Sequence, residues 1–144
     1  MNQPILQLRG VSKSFGMTHA LTNLSLDLYP GEVHALVGEN GAGKSTMIKI
    51  MTGVYQPTSG EILVDGEALK IAGPQAARDL GVAAIYQEPM VFPDLDVTEN
   101  IFISARTEGL LRRPAQQSRK ARDLITRIGM DMEVDQVASG LTLA

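Results

Sequence analysis

The 144 residues carry 44% apolar side chains, 20% charged ones and a formal net charge of −3, the balance of an ordinary globular chain with a core of its own. Nothing in that charge balance suggests nucleic acid or a membrane surface as a bulk electrostatic partner. The absence of cysteine excludes disulfides and thiolate metal sites and fits a reducing compartment. "MNQPILQLRG" has no basic region followed by an apolar run, and no stretch approaches the about 20 apolar residues that span a bilayer. The expected location is the cytoplasm, with any membrane role coming through a partner.

In chain order, residues 4–9 ("PILQLR") alternate in part and residues 20–28 ("ALTNLSLDL") alternate cleanly, which predicts two half-buried antiparallel strands. "YPGE" reads as a turn, and "VHALV" (33–37) as a short strand entering a glycine loop. From Lys44 the period becomes helical, with Met47, Ile48, Ile50 and Met51 on one face and Gly53 at the end. After the turn "QPTSG", residues 61–66 ("EILVDG") predict a strand and a turn, and "GVAAIYQE" (81–88) a buried strand. Beyond "PMVFPDLD", helices are expected from about Val97 and about Pro114. Residues 106–127 concentrate Arg106, Arg112, Arg113, Arg119, Lys120, Arg122 and Arg127 against Glu108 and Asp123, which could form a lid, a partner surface or, most commonly, a solvated helix face.

Gly38-Glu39-Asn40-Gly41-Ala42-Gly43-Lys44-Ser45 matches G-x-x-x-x-G-K-[ST] at every fixed position, with an apolar run before it and an amphipathic helix after it. Glycines let successive N–H groups turn inward as an anion cradle, and the following helix adds the positive end of its dipole. Lys44 would reach the β- and γ-phosphates, and the Ser45 hydroxyl would ligate Mg²⁺. A GTPase would add N-K-x-D, which the chain lacks. A small nucleotide kinase would need an arginine-rich lid, which the basic segment could imitate.

The stretch from "LRGVSKSFG" through "ALTNLSLDLYPGEVHALVGENGAGKSTMIKIMTGVYQPTSGEILVDG" to "GVAAIYQEPMVFPDLDVTENIFI" resembles the ATP-binding subunit of ABC transporters over nearly all of residues 5–105, most closely the carbohydrate-import branch. Residues 106–144 resemble the family more loosely. The resemblance implies an α/β P-loop NTPase fold. Residues 1–96 would form an antiparallel β-subdomain plus the start of a RecA-like core, and residues 97–144 part of a helical subdomain. It implies ATP and Mg²⁺ as ligands, held by residues 38–45 together with Thr46. It places Phe15 where an aromatic stacks on adenine. Gln87 falls at the Q-loop glutamine, which ligates Mg²⁺ or orients water and is the catalytic candidate. The segment after Gln87 matches the surface that receives the membrane subunit, with Met90, Phe92 and Pro93 as contact candidates or as local core. His19 and His34 receive no catalytic role and read as structural.

The resemblance also implies parts that cannot be found. "ILVD" (62–65) imitates the strand that ends in a magnesium-positioning Asp. However, Gly66 follows where Glu is required, and the family places this stretch in the outer sheet. Leu141-Thr142-Leu143-Ala144 fits the opening of an L-[ST]-x-x-Q signature and stops before Gln, and no switch histidine follows. The implied protein is a longer ATPase at the cytoplasmic face of the membrane. Its implied partners are permease subunits, an external sugar-binding protein and a second ATPase domain, without nucleic acid. The chain by itself is expected to bind nucleotide without hydrolysing it, and either to self-associate through an exposed sheet edge flanking residues 82–86 or to be marginally stable. The alternatives are a soluble ABC-type ATPase outside transport and an anion-binding module without catalysis.

Overall fold

The computed structural model describes residues 3–86, 90–103 and 114–141. The chain divides into two compact units, residues 1–85 and 86–144.

The first unit is built on a four-stranded antiparallel sheet in the order β2-β1-β3-β4, formed by β1 (Leu6–Phe15), β2 (Thr18–Leu28), β3 (Ser59–Val64) and β4 (Glu67–Leu69). Alternation explains the central register. Leu8 lies opposite Leu26 on one side and Ile62 on the other, and Leu6 lies between Leu28 and Val64, so one row of apolar residues crosses the sheet. The register slips between Leu8 and Val11, where Gly10 and Asn23 both take positive φ. The polar groups freed there are captured, since Gly10 N–H donates to Ser25 Oγ and Asn23 N–H to Ser12 Oγ.

The helix α1 (Lys44–Met51) and the short α2 (Pro74–Asp79) cover this row. Met47 and Ile50 of α1 and Ala77 of α2 close a core with Leu8, Val11, Leu21, Ile62 and Ile71. Ile48, expected on the buried face, is exposed. The helix closes at Thr52, whose hydroxyl donates to the Ile48 carbonyl, before Gly53 with its φ of 73°.

The two strands expected at 33–37 and 81–88 are not formed among the described residues. Val33 and Val37 are 96% and 90% exposed, and Ile85 is fully exposed. The apolar runs are real, but a strand exists only as part of a ladder. No described segment pairs with either run, so the edge expected at 82–86 is absent. The stretch "ILVDG" belongs to the outer antiparallel sheet as expected. Val64 pairs with Glu67 across a two-residue turn in which Asp65 and Gly66 both have positive φ, the turn geometry that matches strand twist.

The second unit contains α3 (Val97–Phe102), α4 (Pro114–Arg127) and a 3₁₀ turn at Ala138–Gly140. Asp96 opens α3 with a capping box: its Oδ1 accepts from Glu99 N–H at 2.7 Å, and Glu99 Oε2 accepts from Asp96 N–H at 3.2 Å. Val97, Ala121, Ile125 and Val134 form the core, with Phe102, Met132 and Leu141 against it. The cations of α4 are exposed, and Arg122 pairs with Asp135 at 3.3 Å. No helix among the described residues is long and apolar enough to cross a membrane.

Candidate functional site

The glycine loop runs from Gly38 into α1 and is exposed up to Ala42. Gly41 and Gly43 have φ of 89° and 84°, a left-handed backbone that turns successive amides toward one side. At Gly43 the requirement is doubled. A Cβ there would stand 2.5 Å from the Ala20 carbonyl oxygen and 2.6 Å from Leu21 Cδ2, so the loop rests directly on β2. Gly43 is also the N-cap of α1, and no side chain caps the helix. The first-turn amides therefore have no side-chain acceptor, the condition under which a helix start takes an anion. Lys44 Nζ folds back onto the loop and donates to the carbonyls of Gly38 and Glu39, both at 2.7 Å. The Ala42 amide closes the turn onto Glu39 O at 3.2 Å. Ser45 is exposed and Thr46 half-buried beside it.

These features fit a phosphate chain. The loop presents backbone donors, a side chain at Gly43 would obstruct its seat on β2, and the ammonium sits on weak neutral acceptors that phosphate oxygens can replace. For Mg²⁺ the fit is narrower. Among the described residues no cluster of His, Cys, Asp or Glu could hold a metal ion. Ser45 is the one hydroxyl aligned with the motif, and phosphate oxygens and water would complete the shell.

Phe15 lies at the end of β1, opposite Thr18. Two residues back, Lys13 pairs with Leu21, the residue that Gly43 approaches. The aromatic ring thus stands about 7 Å along the hairpin from where the loop touches the sheet. Asp65 is at the other end, since its amide donates to the Ile5 carbonyl beside the Leu6–Val64 pair. Seven residue steps along β1 separate that pair from Lys13, roughly 20 Å, which removes "ILVD" as a source of the magnesium-positioning carboxylate. Gln87 lies outside the described residues, as do Thr142, Leu143 and Ala144 of the signature-like end. His19 and His34 are exposed, the first bonded to Ser14 Oγ at 2.9 Å and the second 3.4 Å from Glu32. Motif spacing does not single out Lys13 and Tyr55, which meet Phe15, or Lys49, whose ammonium lies over the Tyr55 ring. A cation two residues before the aromatic on one strand face was the available signal.

The ABC transporter family profile matches residues 21–143. The chain belongs to the ABC transporter family. It is 50% identical over 144 residues to "Ribose import ATP-binding protein RbsA 1" of Streptomyces coelicolor, covering 98% of this chain and 28% of that protein. It is 48% identical to "Ribose import ATP-binding protein RbsA" of Rhodococcus jostii, again over 98% of this chain and 28% of that one. The chain thus spans under a third of the length of these relatives. Among solved structures, a nucleotide-free ATP-binding cassette from an ABC transporter superposes with a TM-score of 0.79 at 24% identity, over 96% of this chain and 59% of that one. MJ1267, an ATP-binding cassette of an ABC transporter, gives 0.81 at 23% identity, over 97% and 60%. The fold is that of an ABC ATPase, in the part that carries the antiparallel sheet, the glycine loop and the start of the helical region.

Proposed function

We propose that this chain is the Mg·ATP-binding portion of an importer ATPase that energises uptake of a sugar. The observation that carries the proposal is the loop seated on β2 through Gly43, with an uncapped helix start and Lys44 on replaceable carbonyls. The two ribose-import relatives supply the substrate class. In this reading Gly38 to Thr46 wrap the phosphates, Ser45 and Gln87 ligate magnesium and Phe15 stacks on adenine. ATP supplies the phosphoanhydride bond, and the chain's own residues bind it, orient it and neutralise its charge. Gln87 would connect the γ-phosphate to the permease surface. The exposed side chains of Met90, Phe92 and Pro93 suit that contact. Asn100 holds this loop in place by bonding both the amide and the carbonyl of Phe92. A position at the cytoplasmic face of the membrane follows, with permease subunits, a sugar-binding protein and a second ATPase domain as partners.

Taken alone, the chain binds nucleotide and turns over essentially none, because Asp65 is remote from the loop and no metal-holding acidic cluster occurs among the described residues. Titration of the purified chain with Mg·ATP, inorganic phosphate and GTP tests the ligand. Binding of phosphate as tight as that of ATP reduces the site to an anion cradle. Co-purification of the longer protein with a polytopic membrane protein tests the transport reading, and its absence would favour an ATPase outside transport.

A further inference from the structure

Phe15 is 43% exposed as a residue, but the surroundings of its ring are not symmetrical. Lys13 Nζ lies over the ring at 5.1 Å from its centroid, and 5.8 Å from that of Tyr55. The ammonium is tethered, donating to the Gln56 carbonyl at 2.7 Å, while Gln56 Nε2 donates to the carbonyl of the buried Ile71 at 2.6 Å. Tyr55 meets Phe15 at a centroid distance of 5.1 Å and an interplanar angle of 70°. Its own backbone amide is bonded to Lys49 O at 3.0 Å, its ring packs against the first core, and Lys49 Nζ lies 5.4 Å from it. Beside Phe15, Ser14 N–H donates to Thr58 Oγ1 at 3.1 Å, which holds the strand end to the same turn.

From this arrangement we infer that Lys13 and Tyr55 are positioning residues for a one-sided base platform. Lys13 covers one face of Phe15, Tyr55 fixes the tilt of the ring from the core side, and the opposite face alone is left for a purine. The inference rests on the reading of Phe15 as the base platform. A cation behind the ring also draws π density toward the covered face. The open face becomes less negative and stacks more favourably with an electron-rich base. Neither residue needs to touch the phosphates, so their effect is confined to the base.

The test uses the 144-residue chain and calorimetric affinities for Mg·ATP and for inorganic tripolyphosphate, with the ratio of the two as readout. Tyr55→Leu, which refills the core position without a ring, lowers ATP affinity about three- to tenfold and leaves tripolyphosphate unchanged, and Tyr55→Phe restores the ratio. Lys13→Met, which keeps the apolar stem, shifts the ratio in the same direction and by a similar factor. Equal loss for both ligands in Lys13→Met makes Lys13 a phosphate ligand and overturns its positioning role. Phe15→Ala separates the two readings. A ratio unchanged by Phe15→Ala removes the platform and the inference with it. A ratio lowered by Phe15→Ala but untouched by Tyr55→Leu and Lys13→Met keeps the platform and overturns the inference alone.

Discussion

The carbonyl oxygen of Ala20 stands 2.5 Å from the point where a Cβ on Gly43 would lie. The contact joins β2 to the glycine loop at the start of α1, so the alternating hairpin sets the position of the phosphate-binding backbone. Gly43→Ala collides with that carbonyl and forces a left-handed φ on alanine. It costs about 2–4 kcal/mol of stability. Gly41→Ala has nothing within 4 Å of its Cβ and costs only the backbone strain, about 1–2 kcal/mol. Denaturant midpoints of the two variants check the difference, and equal values would remove the contact from the account.

Lys44 Nζ bonds two exposed loop carbonyls, so Lys44→Ala leaves stability within about 0.5 kcal/mol of the parent. Its effect falls on ligand binding, where loss of a charge-assisted bond to phosphate weakens Mg·ATP by about 10- to 100-fold. Calorimetry beside a thermal melt separates the two readouts.

Asp96 caps α3 through a reciprocal pair with Glu99. Asp96→Ala costs about 1 kcal/mol, while Asp96→Ser keeps an acceptor and recovers most of it. Faster amide exchange confined to α3 is the expected signature, including Val97 and Thr98, whose N–H groups donate to the Gln136 and Val134 carbonyls.

Val33 and Val37 are almost fully exposed and Ile85 entirely so, leaving apolar surface that water disfavours. The chain is expected to associate as its concentration rises. The double variant Val33→Asp, Ile85→Lys should shift sedimentation toward the monomer without lowering the unfolding midpoint. An unchanged distribution would show that these side chains do not carry the association.

Local patterning was a good guide wherever a segment's partner is near in the chain. The alternation of Leu24, Leu26 and Leu28 led to β2, and the change of period at Lys44 to α1. The helical segments expected from about Val97 and about Pro114 correspond to α3 and α4. It misled at 33–37 and over the described residues 81–86, where an apolar run carries no information about whether a ladder partner is present. Two small elements were readable but passed over. Asp65-Gly66 is a hairpin signal ahead of β4, and Gly73-Pro74 marks a helix start with proline at its first position. In the site, the glycine loop was legible from spacing alone. Phe15 was legible only through the family resemblance, because an aromatic at a strand end is ordinarily core. Lys13 was signalled only by its spacing from Phe15 on β1, and Tyr55 was not legible, since it reaches Phe15 through the turn after α1.

Calorimetric titration of Mg·ATP into the folded chain and into its Lys44→Ala variant tests the central claim most directly. One saturable site per chain, weakened at least about tenfold in the variant, is the predicted result. Indistinguishable isotherms for the two folded proteins would contradict it.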